Sequence, residues 1–219
     1  MPGPAWNTDP AGAEATIASN VSAIYRQLVL DAGERREPSL ELAAAWHREL
    51  YRSVAVPSRS YLGNPRHSDP DHPDLIGYEL AVGAKTGVPS RSVPSQLDAF
   101  IIGLGQAVTT FDQVIPRGKP AQDPGDVLAV VELAALTHGE WVRIHPYANG
   151  NGRTARIWAN WIALRYGLPP FVSIRPRPAG TLYERAAAAS MGAPPDFHGD
   201  HAPTVAAFID MLHTPPTTT

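Results

Sequence analysis

Apolar residues recur at three- and four-residue spacing along most of the chain. The period predicts helices around Glu14–Asp31, Ser39–Ser53, Pro94–Phe111, Asp126–Ile144, Arg153–Tyr166, Leu182–Ser190 and Pro203–Leu212. One segment breaks that period: Tyr78–Val82, a glycine-bounded turn Gly83–Gly87 and Val88–Val93 read as a short hairpin. The 23 prolines, about twice average usage, fall mostly between the helical stretches and in the tails. These patterns predict an all-α domain with a small hairpin over residues 13–212, between loose ends at 1–12 and 213–219, with no repeat or second domain. Trp141, Trp158 and Trp161 lie at helix-compatible spacing and read as core.

Between the fourth and fifth predicted helices runs His145-Pro146-Tyr147-Ala148-Asn149-Gly150-Asn151-Gly152-Arg153-Thr154-Ala155-Arg156. Gly150 and Gly152 let the backbone turn tightly and approach a ligand. The N–H groups that open the next helix have no intrahelical partners, and with the helix dipole they suit an anion. Arg153 and Arg156, three residues apart, share a helix face and can grip successive phosphates. Arginine at a helix N-terminus is electrostatically unfavourable unless an anion compensates, so the cluster reads as a phosphate cradle. His145 carries the only side chain in the loop that takes up a proton near neutral pH, which makes it the candidate general base. Taken singly, each residue also has a structural reading, as a satisfied histidine or a solvated arginine.

This stretch resembles the signature of the Fic family, His-Pro-Phe-x-(Asp/Glu)-Gly-Asn-Gly-Arg-x-x-Arg. The flanks Leu133–His138 and Trp141–Ile144 upstream, and Trp158–Trp161 to Gly167–Pro170 downstream, are similar to the helices around it, and Tyr61–Arg66 resembles a Gly-x-x-Arg element of these proteins. The resemblance spans residues from about 20 to 212. It implies a Fic-type helical domain that transfers a nucleoside monophosphate, usually AMP from ATP or another nucleoside triphosphate, onto a Ser, Thr or Tyr hydroxyl of a target protein. His145 would deprotonate the hydroxyl for in-line attack at the α-phosphate, expelling pyrophosphate. By position Asn151 and the N–H groups of Gly150 and Gly152 would hold the α- and β-phosphates, Arg153 and Arg156 the outer ones, and Mg²⁺ or Mn²⁺ would bridge them.

Asn149 stands where the family has its metal-binding acid, so it is both a nucleotide-site residue and a weak candidate metal ligand. The hairpin matches the family's flap, which pairs with the target backbone by strand addition, and Lys85, Thr86 and Gly87 become candidate target-binding residues, with Lys85 at the tip. The family's inhibitory pattern ends in Glu-(Gly/Asn), but none of the nine glutamates here is followed by Gly or Asn. The chain is then uninhibited in cis or restrained by a separate antitoxin-like partner. Other readings of the same scaffold are phosphorylation, phosphocholination, UMP transfer, a small-molecule hydroxyl acceptor, and a nucleotide-binding module of weak or no activity.

A net charge of −3 without a basic run argues against nucleic-acid binding. Zero cysteines exclude thiol chemistry and disulfides. No apolar run approaches the ~18 residues of a membrane span, and the start lacks a basic-then-apolar leader, so the expected compartment is the cytoplasm. The clusters His67–Asp74 and Asp196–His201 hold metal-ligand residue types on proline-broken loops and read as solvated turns. His138, seven residues before His145, reads as a buried, hydrogen-bonded helix residue that can support the site from behind.

Overall fold

The computed structural model describes residues 2–67 and 70–214. Seven α-helices appear in it: α1 Glu14–Gly33, α2 Leu40–Leu50, α3 Val93–Val114, α4 Pro124–Ile144, α5 Asn151–Arg165, α6 Thr181–Ser190 and α7 Ala202–His213. Each predicted helix is present, with ends displaced by up to three residues where caps, not periodicity, decide. Ser39 stays extended and accepts the Leu42 N–H, so α2 begins after it. Asp123 accepts the N–H groups of Gly125 and Asp126 with Pro124 in the first helical position, which starts α4 two residues early.

Helices α4 and α5 form the centre of the fold. Helices α1 and α2 pack on α5, while α3, α6 and α7 pack on α4. Nearly every position of α5 is buried, including its polar members Asn151, Thr154, Arg156, Asn160 and Arg165, each of which is held by hydrogen bonds. Its buried Asn160 donates to the Val172 carbonyl and accepts the Val172 N–H, fixing the chain that leaves the helix. Trp141 and Trp158 are fully buried, and Phe100 meets both edge to face. No helix among the described residues is long and apolar enough to cross a membrane.

Two segments depart from the sequence expectation. The hairpin is shorter and shifted: β1 Ala81–Val82 pairs antiparallel with β2 Lys85–Thr86, the turn is Gly83–Ala84, and Lys85 sits in the second strand instead of at the tip. Val88–Val93 forms no strand, because Pro89 has no N–H for a ladder; Glu79 accepts the Ser90 N–H and hydroxyl instead, and a short 3₁₀ turn at Ser90–Ser92 leads into α3. The N-terminal segment is not a loose tail. Trp6 is buried beside Tyr51 and Tyr61, its backbone N–H donates to the Tyr78 hydroxyl, and the Tyr61 hydroxyl donates to the Pro4 carbonyl. Most of the 213–219 end, and Ser68 and Asp69 of the His67–Asp74 cluster, lie outside the described residues.

Candidate active site

Helix α4 ends because His145 adopts a left-handed backbone (φ 52°, ψ 56°) and Pro146 cannot continue the ladder. The loop that follows turns back through Gly150, also left-handed (φ 79°), where a Cβ would lie 2.9 Å from the Tyr51 ring. Only glycine fits both demands. Asn151 clasps this turn: its Oδ1 accepts the Tyr147 N–H at 2.8 Å and its Nδ2 donates to the Tyr147 carbonyl at 2.7 Å. Fully buried Tyr147 packs 4.0 Å from His47, ring centre to ring centre.

The geometry sets the state of His145. Its Nδ1 lies 3.0 Å from the Val142 carbonyl, an acceptor only, so Nδ1 carries the proton and Nε2 keeps the lone pair. Burial, aided by the Arg66 guanidinium and opposed by the Val142 bond, lowers the imidazole from 6.5 to about 4. The ring is therefore neutral near pH 7. Arg66, fully buried, anchors the strained backbone: it donates to the carbonyls of His145 (3.0 Å) and Ile144 (3.2 Å), and also to Tyr78 and Val88 at the base of the hairpin. The element at Tyr61–Arg66 thus ties hairpin and loop together. Gly87 completes the contact, since a Cβ there would lie 3.3 Å from the His145 Cβ.

A cleft of about 850 Å³ opens over this loop, walled by the hairpin, the start of α5, the 174–177 segment and α6. His145, Asn149, Gly150, Asn151, Gly152, Arg153 and Arg156 all line it, as does Lys85, whereas Thr86 and Gly87 do not. Lys85 Nζ reaches the Gly192 carbonyl past the end of α6 at 3.2 Å, which latches the hairpin across the opening. Thr86 is exposed and pairs with Ala81.

Several of the candidate groups carry hydrogen bonds within the chain. Asn149 Oδ1 accepts the Gly150 N–H at 2.6 Å, so that N–H is not offered to a ligand and the oxygen has one of its two lone pairs engaged. The Asn151 side chain is occupied by Tyr147, leaving only its N–H. The first three N–H groups of α5, at Asn151, Gly152 and Arg153, keep the orphan status of a helix start, because the ladder begins at Thr154 N to Gly150 O. Arg153 Nη2 is held by both Asp9 oxygens at 2.8 and 2.9 Å, with its guanidinium over the Tyr51 ring. Arg156, buried, donates to the Tyr183 hydroxyl and the Ile174 carbonyl, each at 3.0 Å.

Behind Arg156 the Tyr183 hydroxyl meets His138 Nε2 at 2.9 Å. That hydroxyl accepts from arginine, so it donates its own proton to a neutral His138, which burial and the Arg156 charge lower to about 3. His138 is the buried, bonded residue expected, and it orients the arginine through tyrosine. In the Asp196–His201 cluster Asp196, His198 and Asp200 are exposed, as a solvated turn requires, but His201 is engaged: its Nε2 bonds Glu140 at 2.6 Å and its Nδ1 meets Ser190 Oγ at 3.1 Å, joining the start of α7 to α4 and α6. Sequence reasoning missed His47, which accepts the Gly63 N–H on Nδ1 and so donates Nε2–H to the Asn149 carbonyl. It also missed Trp6, Asp9, Tyr183, Arg175 and Arg177. Only the Arg175-x-Arg177 pair carried any local signal.

Comparisons with known proteins agree on one family. The profile described as Fic/DOC family matches residues 20–163. The chain is 48% identical over 52 residues to the protein adenylyltransferase Fic of Nematostella vectensis, covering 24% of this chain and 12% of that protein. It is 47% identical over 45 residues to the uridine 5'-monophosphate transferase of Xanthomonas campestris pv. campestris, covering 20% of this chain and 8% of that protein. It therefore spans only a small part of the curated relatives it matches. Among solved structures it resembles Fic-1 of C. elegans (residues 134–508, E274G), with TM-score 0.59 and 21% identity over 94% of this chain and 50% of that one. It also resembles the BepC protein with bound AMPPNP of Bartonella tribocorum, with TM-score 0.56 and 15% identity over 89% of this chain and 86% of that one. Both are likenesses of fold.

Proposed function

Since the chain belongs to the Fic/DOC family, we propose that it is a nucleotidyltransferase that moves AMP, or another nucleoside monophosphate, from ATP or a related triphosphate onto a hydroxyl of a protein target. The observation that carries this reading is a neutral His145, its Nε2 lone pair free, at the edge of a cleft whose floor is the start of α5. His145 Nε2 takes the hydroxyl proton as the oxygen attacks the α-phosphorus. The bond from that phosphorus to the bridging oxygen breaks, and pyrophosphate leaves with the electron pair. The α5 N–H groups and the two arginines stabilise the phosphoryl oxygens, where charge builds. The names of the relatives support nucleotidyl transfer and also support a donor other than ATP, because one of them is a UMP transferase. Lys85 and Thr86 are the hairpin residues offered to the target.

The divalent cation implied by the family does not fit these residues. Asn149, a neutral amide whose oxygen already accepts the Gly150 N–H, stands at the acid's position, so the hard anionic oxygen that Mg²⁺ prefers is missing there. No step of the transfer is therefore assigned to a metal ion.

Incubation with ATP, GTP, CTP or UTP labelled at the α- or γ-phosphate, followed by detection of labelled protein in a lysate, tests the reading. Nucleotidyl transfer places α-label on protein in a His145-dependent way. Transfer of γ-label alone identifies a kinase and overturns it.

A further inference from the structure

Unpartnered groups in this cleft are of one kind. Trp6 Nε1, Asn149 Nδ2, Arg153 Nη1 and Arg156 Nε are buried and without a hydrogen-bond partner among the described residues, and all four residues line the same cleft. Each is an N–H donor. The three orphan N–H groups at the start of α5 add to them. No buried side-chain oxygen without a partner lies on any cleft-lining residue. A cation needs lone pairs, whereas buried groups that are all N–H donors need acceptors; Glu184, the carboxylate in the cleft lining, is exposed on α6.

Asn149 is the decisive residue. Its amide cannot be turned to present oxygen, because Nδ2 would then face the Gly150 N–H at 2.6 Å, donor against donor. The Asp9 carboxylate is already paired with guanidinium groups, since each of its oxygens accepts from Arg153 and Arg175 lies 3.9 Å away. Four guanidinium groups, on Arg153, Arg156, Arg175 and Arg177, line the cleft and supply the positive charge that a metal ion would otherwise bring. We propose that this site binds the donor's phosphates as a metal-free polyanion, on arginines and N–H donors alone, with the Asn149 amide as a phosphate ligand in place of a metal ligand. The proposal rests on the nucleotidyl-transfer reading and specifies the ionic form of its substrate.

Calorimetric titration of the protein with ATP, once in EDTA and once in excess Mg²⁺, tests it with binding as the readout. The expected dissociation constant in EDTA is within about threefold of that in Mg²⁺. Asn149→Asp, equal in size, replaces a donor by a carboxylate facing phosphate, so ATP affinity in EDTA should fall by about tenfold or more and recover with Mg²⁺. A thermal melt of the variant checks that it is folded. Wild-type binding that weakens about tenfold or more on removing Mg²⁺ overturns the proposal while leaving nucleotide binding intact. If that dependence disappears in Glu184→Gln, the cation is held by the exposed carboxylate of α6, which overturns it equally. Absence of binding by ATP, GTP, CTP and UTP in both conditions defeats the nucleotide reading itself.

Discussion

At the scale of single residues, His145 combines two constraints that rarely meet: a left-handed backbone on a non-glycine residue and a half-buried ring with one nitrogen committed to Val142. Arg66, through its bonds to the carbonyls of Ile144 and His145, holds that backbone in place and offsets the cost of the left-handed conformation. The depressed titration has a direct kinetic consequence. Only the neutral ring can accept a proton, and it is neutral above about 4. Transfer rate at saturating nucleotide should therefore be flat through neutrality and fall about tenfold per pH unit only below that value. A midpoint near the ordinary histidine value of 6.5 would show that the ring is more solvated than its position allows. His145→Ala should lower the rate by about 10²–10⁴-fold and leave nucleotide affinity nearly unchanged, because a base assists the transition state and not the ground state. Near-normal turnover in that variant removes His145 from the mechanism.

At the scale of elements, the start of α5 and the hairpin act on the cleft from opposite sides. Helix α5 is rigid, enclosed by α1, α2 and α4, so the N–H groups at its start are presented by a fixed scaffold. The hairpin is the contrary case. It has two residues per strand and five of its six residues, all but Lys85, are exposed; its far end is tied by the bond from Lys85 to Gly192. A two-stranded ribbon of that size is marginal without such ties. Lys85→Ala should speed amide exchange in the hairpin and raise KM for the protein acceptor several-fold, with nucleotide affinity little changed, since a charge-assisted bond of about 1.5–3 kcal/mol is lost at one end only. Unaltered exchange and unaltered KM would mean that Arg66 at the hairpin's base suffices.

At the scale of the whole molecule, burial of neutral histidines makes stability depend on pH. His47 and His138 are both fully enclosed, and burial lowers each from 6.5 to about 3. Between those values the unfolded chain binds protons that the folded chain refuses, so the unfolded state gains as pH falls. The loss begins below about 6.5 and ends only where the folded groups titrate, near 3. By pH ~5 each site costs on the order of 2 kcal/mol, a substantial share of an ordinary domain's ~5–15 kcal/mol. Urea midpoints should accordingly drop between pH 7 and pH 5, at constant m-value. Equal midpoints would show that neither histidine is sealed from water.

What the sequence determined by itself was local. Seven helices follow from three- and four-residue periodicity, and the stretch His145–Arg156 with its base, its glycine turn and its two arginines is continuous in the chain, so the candidate centre was legible as text. The all-α class with one small hairpin was legible for the same reason. The tertiary structure alone decided which of those groups are available to a ligand. Asp9 reaches Arg153 across 144 positions, His47 reaches the Asn149 carbonyl across 102, and Trp6 leaves an apparently loose end to seal the cleft wall. Hydrogen-bond saturation is a property of neighbours in space. A motif can specify that Asn149 carries one oxygen and one nitrogen, but only the folded turn, by setting the Gly150 N–H 2.6 Å from the oxygen, decides that the nitrogen is left without a partner.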